Sequence, residues 1–267
     1  MQLSTSTPKV LTLLATTLAL GSASSAVQAA MLAGLQDGKS IVWIDTEQKK
    51  VTGSVKLESG ASLIGIDVRP ADGKLYGVTT DGAIVIVDAK SGKLEKKSQL
   101  SEKLPEGATF SVDFNPAADR LRVLSSTGMS LRINVDDGKT TVDGQLKYAE
   151  ADANKGKQPM VTAAAYTNSF AGTKETALYD VDMATGSIVK QAPPNDGTLN
   201  TIGMLGMKAS GPVAFDILSD GKGANVGWLL AGGKLFTVDL ATGAAKAIGD
   251  IAGMSGGISD IAILPAM

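Results

Sequence analysis

Short apolar runs, separated by Gly, Pro, Asn and Asp, recur along the chain after residue 30. In the segment 63–100 four such runs follow one another, and each is short enough to form one strand. The same course is repeated three more times, at 110–146, 161–205 and 212–251. Four strands repeated at a period of about 50 residues are typical of the blades of a β-propeller.

The two ends of the chain complete this scheme. Residues 31–57 contain three strands, and the last apolar run, 261–265, aligns with the inner strand at 66–70. A ring closed by strands from both termini leaves no open sheet edges. The pattern therefore predicts an all-β, five-bladed propeller over residues 30–267, with four-stranded blades and closure by the C-terminal strand.

The turn residues agree with the predicted strands. A glycine stands between the second and third strands of every unit, where a tight hairpin requires a positive φ. These are Gly38, Gly82, Gly128, Gly186 and Gly233. Asp88 and Asp239 each open a third-to-fourth turn, in which an Asp side chain bonds turn amides. The longest irregular segments, 101–109 and 149–160, both join one blade to the next, so we expect them on one face of the ring.

The first 29 residues have the pattern of a secretory signal peptide. They contain no acidic residue, a single base (Lys9), an apolar run at 10–20 and small residues up to Ala29. The apolar run is shorter than the about 20 residues that cross a bilayer, and no later stretch is longer. We therefore expect cleavage after Ala29 and a periplasmic or secreted protein without a membrane span.

Composition excludes several classes of site. The 267 residues include no Cys and no His, which rules out disulfides, thiolate metal sites, His-ligated zinc and a Ser-His-Asp triad. Lys and Arg number 25 against 27 Asp and Glu, and no basic block stands out. Because nucleic-acid binding requires a clustered positive surface, no nucleic-acid partner is expected.

Four strings of residues resemble a known family of exported bacterial proteins, called domain of unknown function 4394. They lie at 67–77, 113–122, 165–169 and 193–199, in order, and the resemblance covers nearly the whole chain after the signal peptide. The family is grouped with β-propellers. The resemblance therefore implies a propeller fold and an exported location, and it lends no activity.

Several short motifs match catalytic or metal-binding patterns only in spelling. Residues 253–257 match the G-x-S-x-G motif, but that motif requires a His base and the chain has none. Residues 187–190 match the S-x-x-K motif, but Ser187 and Lys190 would point to opposite faces of a strand. The acidic segment 150–156 resembles a calcium loop with its glycine one position late, so a solvated acidic loop is the better interpretation. Asp180 and Asp182 are interpreted as strand-end polarity rather than as a metal site.

Three carboxylates occupy one repeated position on the predicted inner strands: Asp67, Asp113 and Asp216. Tyr166 and Ala262 fill the other two places of this column. Buried charges need partners, and one interpretation is ion pairs between blades with nearby arginines. These are Arg69, Arg120, Arg122 and Arg132. The alternative is a cation or polar ligand on the axis, with calcium the candidate metal.

A second candidate site lies among polar residues of the turns on the face opposite the two long loops. Its members are Arg69, Asn115, Arg120, Asn168, Asn195 and Asp196. Local backbone bonds account for Asn and Asp in turns. They do not account for Arg, whose five donors suit a carboxylate or an anionic ligand. Two interpretations stay open, a ligand site and residues that hold the turns.

Two functional classes remain. The first is a non-catalytic binding module of the cell envelope, with a small molecule or an envelope protein as partner. The second is a metal-assisted hydrolase or lyase that uses the axial carboxylates. Because no complete acid–base or metal constellation can be assembled from the sequence, we favour binding. We predict no cofactor beyond the candidate calcium, and we expect a monomer.

Overall fold

A computed structural model describes residues 1–2, 29–58, 60–209 and 211–265. Within these ranges the chain forms 21 strands, and its one helical element is a single 3₁₀ turn at Pro194–Asp196. No helix in the described part of the chain has the length and apolar character needed to cross a bilayer. The predicted signal peptide falls almost wholly on 3–28, outside the described residues, and stays a prediction.

The strands form five sheets, which are antiparallel except for one short parallel pair in the fourth. Blade 1 contains β1 (Met31–Gln36), β2 (Ser40–Asp45), β3 (Lys50–Lys56) and the last strand of the chain, β21 (Ile258–Ile263). Blade 2 contains β4 (Leu63–Val68), β5 (Leu75–Thr79), β6 (Ala83–Val87) and β7 (Leu94–Gln99). Blade 3 contains β8 (Phe110–Asn115), β9 (Arg120–Ser125), β10 (Ser130–Ile133) and β11 (Thr140–Val142).

The remaining strands form the last two blades. Blade 4 contains β13 (Val161–Tyr166), β14 (Leu178–Asp182), β15 (Ser187–Gln191) and β16 (Thr198–Met204), and the short β12 (Lys147–Tyr148) pairs in parallel with β16. Blade 5 contains β17 (Val213–Ser219), β18 (Asn225–Ala231), β19 (Lys234–Val238) and β20 (Ala245–Asp250). The inner strands β21, β4, β8, β13 and β17 contact one another in a closed ring. The predicted five-bladed propeller is confirmed, with β12 as a fifth, unpredicted strand on blade 4.

The C-terminal strand closes the ring as the sequence predicts. β21 pairs antiparallel with β1, and Leu32 lies opposite Ile263 and Ala33 opposite Ala262. The pairing joins residues more than 220 positions apart in the chain. Blade 1 is therefore complete only when both ends of the propeller domain are present.

The core consists of apolar side chains between neighbouring blades. Each of the five interfaces has its own buried cluster. The inner strands are buried on both sides, whereas an outer strand such as β7 is mostly exposed. The interface between blades 3 and 4 differs from the others, because Arg122 is buried there among polar groups at 1% exposure.

The predicted turn chemistry is confirmed. The five hairpin glycines have φ values between 68° and 93°. The Oδ1 atom of Asp88 accepts hydrogen bonds from the amides of Lys90 and Ser91, and Asp239 does the same in blade 5. At the end of the first of these turns Gly92 packs against the carbonyl of Lys56 in blade 1, where a Cβ has no room. Gly92 therefore serves a blade-to-blade contact as well as the turn.

Candidate functional site

The propeller has two functional faces. The loop face carries the segments that join the blades, including 101–109 and 149–160, together with the hairpins between second and third strands. The turn face carries the turns that follow the inner strands, such as 69–74 and 116–119, and the third-to-fourth turns. The predicted axial carboxylates lie between the two faces, on the inner strands.

Each predicted axial carboxylate joins its own blade to a neighbour. The Oδ2 atom of Asp67 accepts the backbone N–H of Phe114 at 2.7 Å. The Oδ1 atom of Asp113 accepts the N–H of Tyr166 at 3.0 Å, and Oδ2 of Asp216 accepts that of Ile263 at 2.7 Å. A carboxylate that accepts a main-chain amide forms a strong, charge-assisted bond when it is ionised. These three side chains thus link the inner strands of consecutive blades.

A fourth buried carboxylate, Asp260, belongs to the same set and was missed in the sequence. Its Oδ2 accepts the N–H of Ile66 at 2.9 Å, which joins blade 1 to blade 2. Gly65 leaves the space for it, since a Cβ there would lie 2.7 Å from Oδ2 of Asp260. Asp260 stands two positions before the aligned Ala262 and so shares its side of the strand. That period of two is the signal that could have found it.

The column itself needs one correction. The amide of Tyr166 bonds Asp113 just as the amide of Phe114 bonds Asp67. Tyr166 therefore corresponds to Phe114, and Ala165 takes the place in the column that the alignment assigned to Tyr166. The alignment is displaced by one residue in blade 4, because matching of sequence segments does not show which backbone amide faces the neighbouring blade.

The arginines expected beside the axial carboxylates lie elsewhere. Arg69 pairs with Asp119, and Arg122 and Arg132 both pair with Asp143. Within the described residues, no Lys or Arg nitrogen lies within 4.0 Å of the carboxylates of Asp67, Asp113, Asp216 or Asp260. The interpretation of these acids as members of ion pairs between blades is therefore wrong.

Burial controls the protonation of the four acids. Each is at most 6% exposed. Burial, with the charge of neighbouring axial acids, raises the pKa of Asp67 and Asp113 well above the ordinary value, and burial does the same for Asp260. Burial raises the pKa of Asp216 to about 6. Burial therefore disfavours the ionised form of each of these four acids.

The axial acids could contribute ligands to a cation. One carboxylate oxygen from each of Asp67, Asp113 and Asp216 lies within 4.8 Å of the others. Calcium takes six to eight oxygen ligands, so these three oxygens supply half of a shell or less. The same carboxylates already accept main-chain hydrogen bonds, which accounts for their position without a metal.

Three of the predicted turn-face residues make contacts between blades. Arg69 binds Asp119 of blade 3, and its guanidinium lies 5.8 Å from the centre of the Tyr76 ring. The side chain of Asn168 accepts a hydrogen bond from Asn225 of blade 5. Asn195 accepts one from Nη2 of Arg122 in blade 3 at 2.9 Å.

Two of the other three, Asn115 and Arg120, hold their own turn. Oδ1 of Asn115 accepts the amides of Ala117 and Ala118, and Arg120 donates to the carbonyls of Ala118 and Asp119. Asp196 lies in the 3₁₀ turn, with its carbonyl against Gly144. No hydrogen bond joins any two of the six predicted residues, all of which are described. Ligand binding on the turn face stays a prediction.

The loop face holds a cavity of about 1040 Å³ at the mouth of the central axis. We call it the axial funnel. Residues at or near the start of every inner strand line it, so all five blades contribute: Ile64, Phe110, Thr162, Val213 and Ser259. The loop segment 104–109, Met160 and Met183 add further walls. None of the six turn-face residues lines it.

The funnel wall is mainly apolar. Leu104, Pro105, Phe110 and Met160 contribute side chains at its rim, and Met160 is 41% exposed. A few residues with hydroxyl groups lie among the apolar residues of the wall. The buried Oγ1 atom of one of them, Thr162, has no hydrogen-bond partner. The apolar residues of the two long loops were the sequence signal for this site. They could have been preferred to the polar turn-face residues as candidates for a binding site.

The other short motifs have structural explanations. Asp182 accepts bonds from the amides of Met160 and Ala184 and from the hydroxyls of Thr185 and Tyr148. Asp152 of the acidic segment accepts bonds from the amides of Asn154 and Thr201. Both carboxylates hold loops in place. The acidic segment 150–156 thus uses its central carboxylate for contacts within the protein.

Asp180 is the least explained polar residue. It is fully buried between blades 3 and 4, and neither of its carboxylate oxygens has a hydrogen-bond partner. Burial raises the pKa of Asp180 well above its usual range, although the nearby positive charge of Arg122 opposes the shift. Burial therefore disfavours the ionised form of Asp180 in this interface.

Comparison with known families agrees with the fold. The family model described as Domain of unknown function (DUF4394) matches residues 40–262. The chain belongs to this family. No curated protein shows a significant match to it. Membership in DUF4394 confirms the resemblance found in the sequence and assigns no activity.

Three of the solved structures that are similar to this DUF4394 protein come from Bacteroides. A protein of unknown function from Bacteroides thetaiotaomicron is 16% identical over 91% of this chain and 66% of its own, with a TM-score of 0.53. A protein of unknown function from Bacteroides caccae is 14% identical over 83% of this chain and 73% of its own, with a TM-score of 0.45. An extracellular domain from B. thetaiotaomicron is 16% identical over 84% of this chain and 28% of its own, with a TM-score of 0.40. The first of these shares the fold.

Proposed function

We propose that this protein is a non-catalytic binding module of the cell envelope, and that the axial funnel takes a small, mainly apolar molecule. The funnel itself is the observation that carries the proposal. Ligand pockets commonly enclose about 300–1000 Å³, with apolar walls and a few polar groups that orient the ligand. A cavity of about 1040 Å³ with hydroxyls among apolar residues fits that description.

The position of the funnel in the fold also favours binding. Its walls come from the ends of rigid inner strands and from the loops between blades, where binding residues concentrate on a stable scaffold. Thr162 offers a hydroxyl that no group of the described protein uses. A ligand that carries one hydrogen-bonding group and a large apolar body would use both features.

Location in the envelope rests on the N-terminal pattern. A base, an apolar run and small residues before Ala29 are the parts of a signal peptide. Export would place the funnel in the periplasm or outside the cell. Purification of the exported protein and mass spectrometry of its N-terminus should find a chain that begins at Ala30.

Catalysis by a metal on the axis has less support. The axial carboxylates are nearly inaccessible, and each accepts main-chain hydrogen bonds. A hydrolase or lyase needs its reacting groups within hydrogen-bond reach of a substrate. The funnel, which a substrate could enter, has no acid–base pair with a recognised catalytic arrangement among its lining residues.

Binding of the neutral, solvent-sensitive dye Nile red tests the proposal. The mature protein should raise and blue-shift its fluorescence in a saturable titration. Ala108→Trp, which fills the half-buried loop wall of the funnel, should weaken that binding about tenfold. Ala117→Trp is the matched control, because Ala117 is an exposed alanine of a turn-face loop. Saturable binding that Ala108→Trp leaves unchanged, or the absence of any binding, would contradict the proposal.

A further inference from the structure

The charged residues on the funnel wall are all acidic. Asp37 and Glu106 line it, and no Lys or Arg does. Asp37 lies at the tip of the β1–β2 hairpin, where its Oδ1 atom accepts one long hydrogen bond, of 3.3 Å, from Gly257. In the described part of the chain, neither carboxylate lies within 4.0 Å of a Lys or Arg nitrogen. Three lysines adjoin wall residues in sequence without lining the cavity: Lys39, Lys103 and Lys208.

Further acidic residues lie beneath the funnel. Asp260 directly follows the wall residue Ser259, and its Oδ2 atom bonds the amide of Ile66, two residues beyond the wall residue Ile64. Asp216 stands three positions after the wall residue Val213, which places it about 10 Å further along the axis at 3.3 Å per residue. Acidic groups therefore continue from the rim of the funnel into the core, and no basic side chain of the described protein pairs with those on the axis.

An apolar wall strengthens the effect of these charges. Field lines from uncompensated charge are focused in a cleft with walls of low dielectric constant. An anion that entered the funnel would approach the acids at the rim, Asp37 and Glu106. A cation would find opposite charge there, and a neutral molecule would gain only from apolar burial.

We infer that the funnel binds a molecule with an apolar body and a single positive charge, such as an alkyl or aryl ammonium compound. This inference rests on the proposed function, because it needs the funnel to be a binding site. It adds the sign of the ligand's charge. The apolar body contacts the wall formed by Leu104, Phe110 and Met160, and the charged group lies within the field of the rim acids Asp37 and Glu106.

Three probes with the same ten-carbon chain test the charge. They are decyltrimethylammonium, decyl maltoside and decanoate, each titrated below its micelle concentration at low ionic strength. Calorimetry should give a dissociation constant for the cation about tenfold below that of the neutral probe, and the weakest binding for decanoate. Added salt should reduce the difference, because it screens the rim charges.

Variants separate charge from shape. Asp37→Asn with Glu106→Gln keeps the side-chain volumes and removes both rim charges, so it should reduce the preference for the cation severalfold and leave decyl maltoside binding unchanged. Asp220→Asn is the control, because Asp220 is a half-buried acid of the turn face that does not line the funnel. The Ala108→Trp variant reports whether each probe occupies the funnel.

The outcomes distinguish the two proposals. A preference for the cation that the double variant reduces supports the inference. If Ala108→Trp weakens all three probes but the cation binds no better than the neutral probe, the inference fails and the proposed function stands. If Ala108→Trp affects none of them, both fail.

Discussion

The carboxylate of Asp119 accepts two hydrogen bonds from the guanidinium of Arg69, at 2.8 Å from Nε and 2.6 Å from Nη2. The two residues belong to different blades, and the pair lies on the turn face beside Tyr76. An arginine that the sequence offered as a ligand-binding residue thus has a complete set of partners within the protein. This pair gives Arg69 a structural role that can be measured.

Replacement of Arg69 should destabilise the protein without affecting the funnel. Arg69→Ala removes the ion pair and the packing on Tyr76, and we expect a loss of about 1 kcal/mol in the free energy of unfolding, because Asp119 remains partly exposed to water. Urea denaturation measures this loss, and Nile red binding should be unchanged. Arg120→Ala, which removes only bonds to the carbonyls of its own turn, should cost less. Unchanged stability of Arg69→Ala would instead favour a ligand role for this residue.

Stability should fall as the pH rises from about 4 to above 6. The pKa values of the four axial acids are raised in the folded protein, that of Asp216 to about 6, so the folded state holds more protons than the unfolded state in this interval. The contribution of these acids to the free energy of unfolding is complete at pH values below their pKa in the unfolded state, near 4. It is lost as the pH rises through their pKa in the folded state. Urea denaturation at pH 4 to 8 measures the slope.

The variant Asp216→Asn should flatten this pH dependence. Its amide oxygen can still accept the Ile263 amide, but the side chain no longer titrates. Asp45→Asn, at the half-buried end of β2 and away from the axis, serves as the matched control. A wild-type protein whose free energy of unfolding is constant or rises between pH 4 and 7 would contradict the assignment of raised pKa values.

Closure of the ring depends on the last strand. Deletion of 261–267 removes half of β21, the amide that Asp216 bonds and three of the five residue pairs with β1. We expect a loss of several kcal/mol, comparable with the whole stability of a domain, and a large drop in melting temperature by calorimetry. Removal of 266–267 alone leaves β21 intact and is the control. Melting of the truncated protein within a degree or two of the full protein would be incompatible with closure by β21.

Gly65 should not tolerate a side chain. A Cβ at this position would lie 2.7 Å from the carboxylate of Asp260 and 2.8 Å from Cβ of Val112. Both neighbours are buried and cannot retreat, so Gly65→Ala should cost about 1–3 kcal/mol, as overpacking does. Gly53→Ala is the control, because the nearest atom to its Cβ would be 3.3 Å away, on the Trp43 ring. Equal melting temperatures for the two variants would show that the axis has more room than the structure indicates.

Several features of the site could be predicted from the sequence, because they depend on neighbours along the chain. Strand pairing within a blade joins consecutive segments, so the repeat spacing and the hairpin glycines were sufficient to predict the blades. Asp67, Asp113 and Asp216 could be placed near the axis because each stands at the same position of an inner strand. Closure by the last strand could be predicted because the first unit contained only three strands and so lacked one of the four in each blade.

The partners of these residues could not be predicted, because they come from other blades. Asp260 meets the amide of Ile66, 194 positions away, and only the assembled ring brings the two together. The axial acids bond amides rather than arginines because the inner strands lie side by side, whereas the arginines extend toward the turn face and the blade interfaces. The axial funnel is likewise formed by the starts of five separate strands and the loops between them. The sequence by itself determined the repeat, the turns and the number of blades, because all three depend on spacing along the chain. Only the tertiary structure decided which atoms face each other across neighbouring blades and where a cavity lies between the strands.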